Sequence, residues 1–133
     1  MDRKEVSEMV NGAQMICTLS TCDTDGNVNV AVFGSLKMMG GDLVTMGIGQ
    51  NRSFKNLNQN PKAVLIVMEP GDTAADWKGA RIYLKVDTIE EDGPFFNEVI
   101  EGIVKVAGEG VRGMLKSAVR FNITDIRPIL APV

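Results

Sequence analysis

No histidine occurs among the 133 residues. That removes histidine-ligated zinc, haem with an axial histidine, and any catalytic triad whose base is an imidazole. Cysteine is scarce, with only Cys17 and Cys22 present. Along one expected strand their Cα atoms stand roughly 16 Å apart at ~3.3 Å per residue, too far for a bridge, and the odd spacing turns them to opposite faces. Free thiols follow, which suits a reducing compartment. Positive charge is also in deficit, since 14 Lys and Arg against 17 Asp and Glu leave a net −3. General nucleic-acid binding, which needs a basic field to neutralise phosphates, is therefore not expected. A local basic site for one small anion stays open. No apolar run approaches the ~20 residues of a membrane span, so no membrane partner is expected. The opening MDRKEVSEMV lacks the apolar stretch of a signal peptide, and a cytoplasmic location is expected. What remains is 44% hydrophobic and 23% charged, the balance of a globular chain long enough for one domain over 1–133.

The periodicities predict mostly strands. Asp2–Met9 fits a short helix with Val6, Met9 and Val10 on one face. Ala13–Thr21 alternates as a first strand, and Asp23-Thr24-Asp25-Gly26 reads as a turn whose glycine accepts positive φ. Asn27–Met38 is expected as one long second strand, carrying alternating Val28, Val30 and Val32. After Gly40-Gly41 come strands at Asp42–Ile48, Lys62–Glu69, Ala80–Ile89 and Met114–Ile123. A helix starting at Asp92-Gly93-Pro94 carries Phe95, Phe96, Val99, Ile100, Ile103 and Val106 as an apolar stripe. The expectation is a mainly β fold with peripheral helices, a six-stranded antiparallel split barrel of Greek-key type.

Two motifs are set aside. Asp23 to Asn27 looks like the start of a calcium loop, but its sixth and twelfth positions are Val28 and Gly34 where glycine and glutamate are required. Gly47-x-Gly49 lacks the third glycine of a dinucleotide fingerprint. The segment GQNRSFKNLNQNP, residues 49–61, is harder to dismiss. If Ser53–Gln59 is helical, Phe54 and Leu57 anchor it while Arg52, Lys55 and Asn56 share another face. Arg52 and Ser53 then stand at a helix N-terminus, where free N–H groups and the dipole favour an anion. A solvated crossover explains the same polar residues. On physics alone both readings stay open. Trp77, the sole tryptophan, reads as a partly packed loop anchor, and the methionines as fillers of core gaps.

The order of segments resembles the FMN-binding split barrels related to pyridoxamine 5'-phosphate oxidase. The resemblance rests on Ile16–Thr21, on Asp25-Gly26 with the strand to Phe33, and on Arg52–Leu57 followed by Asn60-Pro61-Lys62-Ala63-Val64. Lys55, Asn56, Leu57, Asn60 and Pro61 read K-N-L-x-x-N-P, close to a K-x-x-N-L-x-x-N-P pattern. In length, and in Asp92-Gly93-Pro94 before the late helix, the chain is similar to small FMN-binding proteins of anaerobic bacteria. The resemblance implies a homodimer with FMN at the subunit interface. It implies that Arg52 and Ser53 hold the flavin phosphate, with Lys55 or Asn56 in support. It sets the ring against Val30, Ala31, Val32 and Phe33 and against Met46, Gly47 and Ile48, with Trp77 closing over a ring from either subunit. The oxidase's C-terminal arginine and histidine have no counterpart in the stretch Asp125–Val133, so pyridoxamine phosphate oxidation is not expected.

The expected function is that of a flavoprotein, an electron carrier or a flavin-dependent reductase with an unidentified redox partner or small substrate. No side chain stands out as a general acid or base, which suits a carrier. Two alternatives are a related reductase using a deazaflavin or another cofactor, and a cofactor-free dimeric module.

Overall fold

The computed structural model describes residues 2–12 and 15–130. The expected start of the first strand at Ala13 and the tail 131–133 lie outside the described residues. Helix α1 (Arg3–Val10) begins with a capping box: the Asp2 carboxylate accepts the Glu5 N–H at 2.8 Å and the Glu5 carboxylate accepts the Asp2 N–H at 2.9 Å. The helix buries Val6, Met9 and Val10, the face its spacing predicts. The first hairpin joins β1 (Ile16–Cys22) to β2 (Val28–Val32). Its turn is organised by Asp23, whose carboxylate accepts the N–H groups of Asp25 and Asn27 and the Asn27 side-chain amide at 2.8–3.0 Å. Gly26 supplies φ 86°. With its oxygens spent on the turn, Asp23 behaves as a hairpin former.

The remaining strands are β3 (Lys37–Met38), β4 (Leu43–Ile48), β5 (Lys62–Glu69), β6 (Lys78–Glu90) and β7 (Ser117–Pro128). All pairings are antiparallel in one seven-stranded sheet of order β2-β1-β5-β6-β7-β4-β3. The count of six expected strands becomes seven because the expected strand 27–38 breaks. β2 pairs only with β1 and β3 only with β4, so the chain must leave one end of the sheet and join the other. Residues 33–36 make that crossing, with the Phe33 N–H donating to the Cys17 carbonyl at 3.1 Å and the Ser35 hydroxyl to the Gly47 carbonyl at 2.8 Å. A four-residue link between the outermost strands curls the sheet into a barrel closed by chain connection rather than by a hydrogen-bonded ladder. The last strand also differs from its expected span, since Glu109–Met114 forms a 3-10 turn and β7 starts only at Ser117.

The inward rows of β1, β5, β6, β7 and β4 fill the barrel, with Leu19, Leu65, Ile82, Phe121 and Met46 fully buried. Helix α1 closes one end, where the Asn11 side chain accepts from the Met38 N–H at 2.9 Å and donates to the Met38 carbonyl at 3.2 Å. Helix α2 (Arg52–Gln59) closes the other. Helix α3 (Gly93–Ala107) lies outside, against β4 and β7, with Ile100 and Val104 buried. β4 is therefore covered on both faces, and Val44 to Ile48 are all buried. The start of α3 is held by Arg120, which stacks on Phe95 at 5.2 Å while its Nε–H donates to Asp87 at 2.9 Å. That bond is the main cause of an Asp87 carboxyl held below its ordinary range. Such a group contributes stability above its unfolded pKa, and loses it as pH falls through the depressed folded value.

Cys17 faces the core, where burial pushes its thiol up, and Cys22 is half-buried on the outer face. Both are free, as their spacing predicts. Iodoacetamide should therefore reach Cys17 only in denaturant, read by peptide mass; labelling of Cys17 in native buffer contradicts this placement. Close backbone approach is needed at Gly79, where an added Cβ falls 2.1 Å from the Val67 carbonyl oxygen. Gly79→Ala must part β5 from β6 and should lower unfolding stability by ~1–3 kcal/mol in a urea titration.

Candidate functional site

Four polar side chains meet where α2 seals the barrel. Thr21 and Asn29 are direct cross-strand partners on β1 and β2. The Asn56 amide of α2 donates to the Thr21 hydroxyl at 3.0 Å, and the Asn29 amide donates to the Ser53 hydroxyl at 3.2 Å. Thr21, Ser53 and Asn56 are only 3%, 1% and 4% exposed. Ser53 and Asn56 are one helical turn apart, so the two bonds act as parallel struts that set the rotation of α2 about its axis. Leu57 continues the buried face into the core, and Phe54 is partly buried against it.

This corrects one detail of the expected helix. Asn56 does not share a face with Arg52 and Lys55; it belongs to the buried face with Ser53 and Leu57, while Arg52 and Lys55 are exposed. A helix at the end of a barrel must satisfy the polar groups already there. The hydroxyl of Thr21 and the amide of Asn29 select hydrogen-bonding partners over purely apolar ones.

The N-terminus of α2 is capped once. The Asn51 side chain accepts the Phe54 N–H at 2.9 Å and its carbonyl accepts the Lys55 N–H at 3.1 Å. Among the described residues nothing accepts the N–H groups of Arg52 or Ser53, or the Ser53 hydroxyl proton. No described carboxylate pairs with the Arg52 guanidinium. Two amides, a hydroxyl and a guanidinium thus converge on one turn as unspent donors, the donor set suited to a phosphate. Lys55 lies toward Asp23, whose carboxyl is held below its ordinary range chiefly by the Asn27 side chain, with a smaller contribution from Lys55.

The two expected ring-contact segments flank the gap where the ends of the sheet meet. On one side runs the outer edge of β2, paired with no strand, with Val30 and Val32 62% and 75% exposed and Ala31 and Phe33 half-buried. On the other side β3 pairs only with Val44 and Thr45, so the edge of β4 from Met46 to Ile48 is left without a strand. Met46 and Ile48 send their side chains into the core, and the Cα of Gly47 is covered by Ile103, Leu115 and Ile100. At this edge only Gly47 turns its backbone groups away from β7, and its carbonyl already accepts from the Ser35 hydroxyl. β4 leads directly into α2, which brings this backbone to the same end as Arg52 and Ser53. Trp77 is not part of the group. It stands at the β5–β6 connection, and the length of β5, about 20 Å, separates it from α2 within one chain.

A groove of about 740 Å³ is lined by Ser20, Thr21, Cys22, Val28, Asn29 and Tyr83 among others, and so reaches the strands that carry Thr21 and Asn29. It belongs to the outer face of the sheet, where Ile16, Val28, Val30 and Val32 stay exposed. The signal for this face was in the sequence, but inverted: in Val28-Asn29-Val30-Ala31-Val32 the valines point out and Asn29 points in toward α2. Asn29 was missed as a site residue for that reason.

Known structures share this architecture. An FMN-binding protein from Syntrophomonas wolfei subsp. wolfei superposes with a TM-score of 0.84 at 24% identity, over 98% of this chain and 87% of the other. HutZ, the heme storage protein from Vibrio cholerae, gives 0.73 at 19% identity over 94% and 92%. An F420 reductase gives 0.69 at 15% identity over 96% and 97%. At such identities the likeness concerns the fold. No curated protein matches the sequence. The family model of pyridoxamine 5'-phosphate oxidase, however, matches residues 3–129, nearly the whole chain. The chain belongs to the pyridoxamine 5'-phosphate oxidase family.

Proposed function

We propose that this protein binds FMN and works as an electron carrier or a flavin-dependent oxidoreductase. The observation that carries the reading is the cluster of unspent donors at the start of α2: the N–H groups of Arg52 and Ser53, the Ser53 hydroxyl and the Arg52 guanidinium. They fit a phosphate monoester, which offers several strong acceptor oxygens and a charge that the helix N-terminus favours. Arg52 supplies a planar fork, Ser53 a short donor from a buried Oγ, and Lys55 additional positive potential. Asn56 acts through Thr21 by holding the helix. The unpaired edge of β2 at Val30–Val32, with the Gly47 N–H of β4 facing it, then offers backbone hydrogen bonds along a gap suited to a flat ring. When bound, the flavin supplies hydride or single-electron transfer at its ring. The chain's task is to position the ring, hydrogen-bond its polar edge and exclude water. HutZ shares the fold, but a chain with no histidine offers haem no axial imidazole.

The reading includes a second copy of the chain over the outer sheet face. Val28, Val30 and Val32 on β2 and Ile16 on β1 form an apolar surface that no helix covers, beside an unpaired strand edge. A two-fold pairing of that face brings each gap against its neighbour and gives Trp77 of the second copy a route to the ring.

Three outcomes are expected. Purified protein should be yellow and release FMN on denaturation; colourless protein that rejects added FMN overturns the cofactor assignment. Arg52→Ala should weaken FMN binding roughly ten- to a hundredfold, the scale of a lost charge-assisted bond, measured by flavin fluorescence. Val30→Asp should convert a dimer to a monomer in light scattering, and a monomeric wild type contradicts the pairing.

A further inference from the structure

Asn29 is half-buried, yet it sits in a strand whose neighbours Val28 and Val30 are exposed. Its amide donates to Ser53 Oγ at 3.2 Å. A serine hydroxyl has one proton and can either give it to a neighbour or accept from that neighbour. With Oγ accepting from Asn29, the proton is left to donate elsewhere, and among the described residues no atom receives it. An apolar residue at position 29 removes that constraint. A carboxylate there reverses it, because the Ser53 hydroxyl turns back to donate to position 29.

We propose that Asn29 is a positioning residue for the phosphate end of the cofactor, keeping the Ser53 hydroxyl oriented as a donor at the α2 N-terminus. This rests on the FMN reading above and assigns a role to a residue with no contact of its own to the phosphate. The geometry separates the two struts. Thr21–Asn56 holds the helix, and Asn29–Ser53 holds the helix and also leaves the Ser53 hydroxyl proton free to donate elsewhere.

The test is a double-variant cycle on FMN affinity, joined to the ³¹P resonance of FMN bound at saturation. Asn29→Ala should weaken FMN binding about tenfold, close to the effect of Ser53→Ala, and the double variant should lose no more than either single one. Both single variants should move the bound ³¹P resonance, whereas Asn29→Gln, which keeps a donor, should restore affinity to within about threefold. Asn29→Asp keeps the shape, and should bind FMN no better than Asn29→Ala. Additive losses, or a ³¹P resonance in Asn29→Ala at the wild-type position, overturn the assignment and leave the FMN reading standing. Wild-type protein that takes up no FMN overturns both.

Discussion

The orientation of α2 depends on two hydrogen bonds, a buried one from Asn56 to Thr21 and a half-buried one from Asn29 to Ser53. Each joins a side chain that the barrel end would otherwise leave unsatisfied, and losing one partner strands a buried polar group at about 1–3 kcal/mol. Because the acceptors and donors are one turn apart on the helix, they allow a single rotational setting. That setting turns Leu57 into the core and Arg52 and Lys55 outward. An all-apolar interface of the same area would hold the helix with less control over its phase.

The same helix ties the ends of the barrel together. β4 runs into its N-terminus, and the β1–β2 turn is linked to its C-terminal half through Thr24, whose N–H and hydroxyl both donate to Gln59. The strand edges on both sides of the gap are thus fixed relative to the donors of Arg52 and Ser53. The gap itself follows from connectivity: β2 and β3 are consecutive in the chain but lie at opposite ends of the sheet, and residues 33–36 bridge them. Covering β4 with α3 buries the side chains of Met46 and Ile48 and closes over the Cα of Gly47.

Much of this was legible in the sequence. The span Lys62–Glu69 was read to the residue, because a β-branched run between Asn60-Pro61 and Pro70-Gly71 admits little else. The apolar face of α1 and the hairpin at Asp23–Asn27 were equally plain. The break after Val32 was not, since Phe33 to Leu36 continues the composition of a strand and only the global closure of the sheet interrupts it. Nor was the burial of Asn56 and Asn29. Asparagine in an exposed-looking segment reads as a cap or turn former, and its role as an interior strut depends on Thr21 and Ser53, 35 and 24 residues away.

The central claim is that the start of α2 holds a flavin phosphate. Backbone amide NMR of ¹⁵N-labelled apoprotein during titration with FMN tests it directly, because Arg52 and Ser53 carry the N–H groups without protein acceptors. Those two resonances should move downfield by more than any others in α2, and inorganic phosphate should move the same pair in the same direction. If FMN binds while the Arg52 and Ser53 amides stay in place, the phosphate lies elsewhere and the account fails.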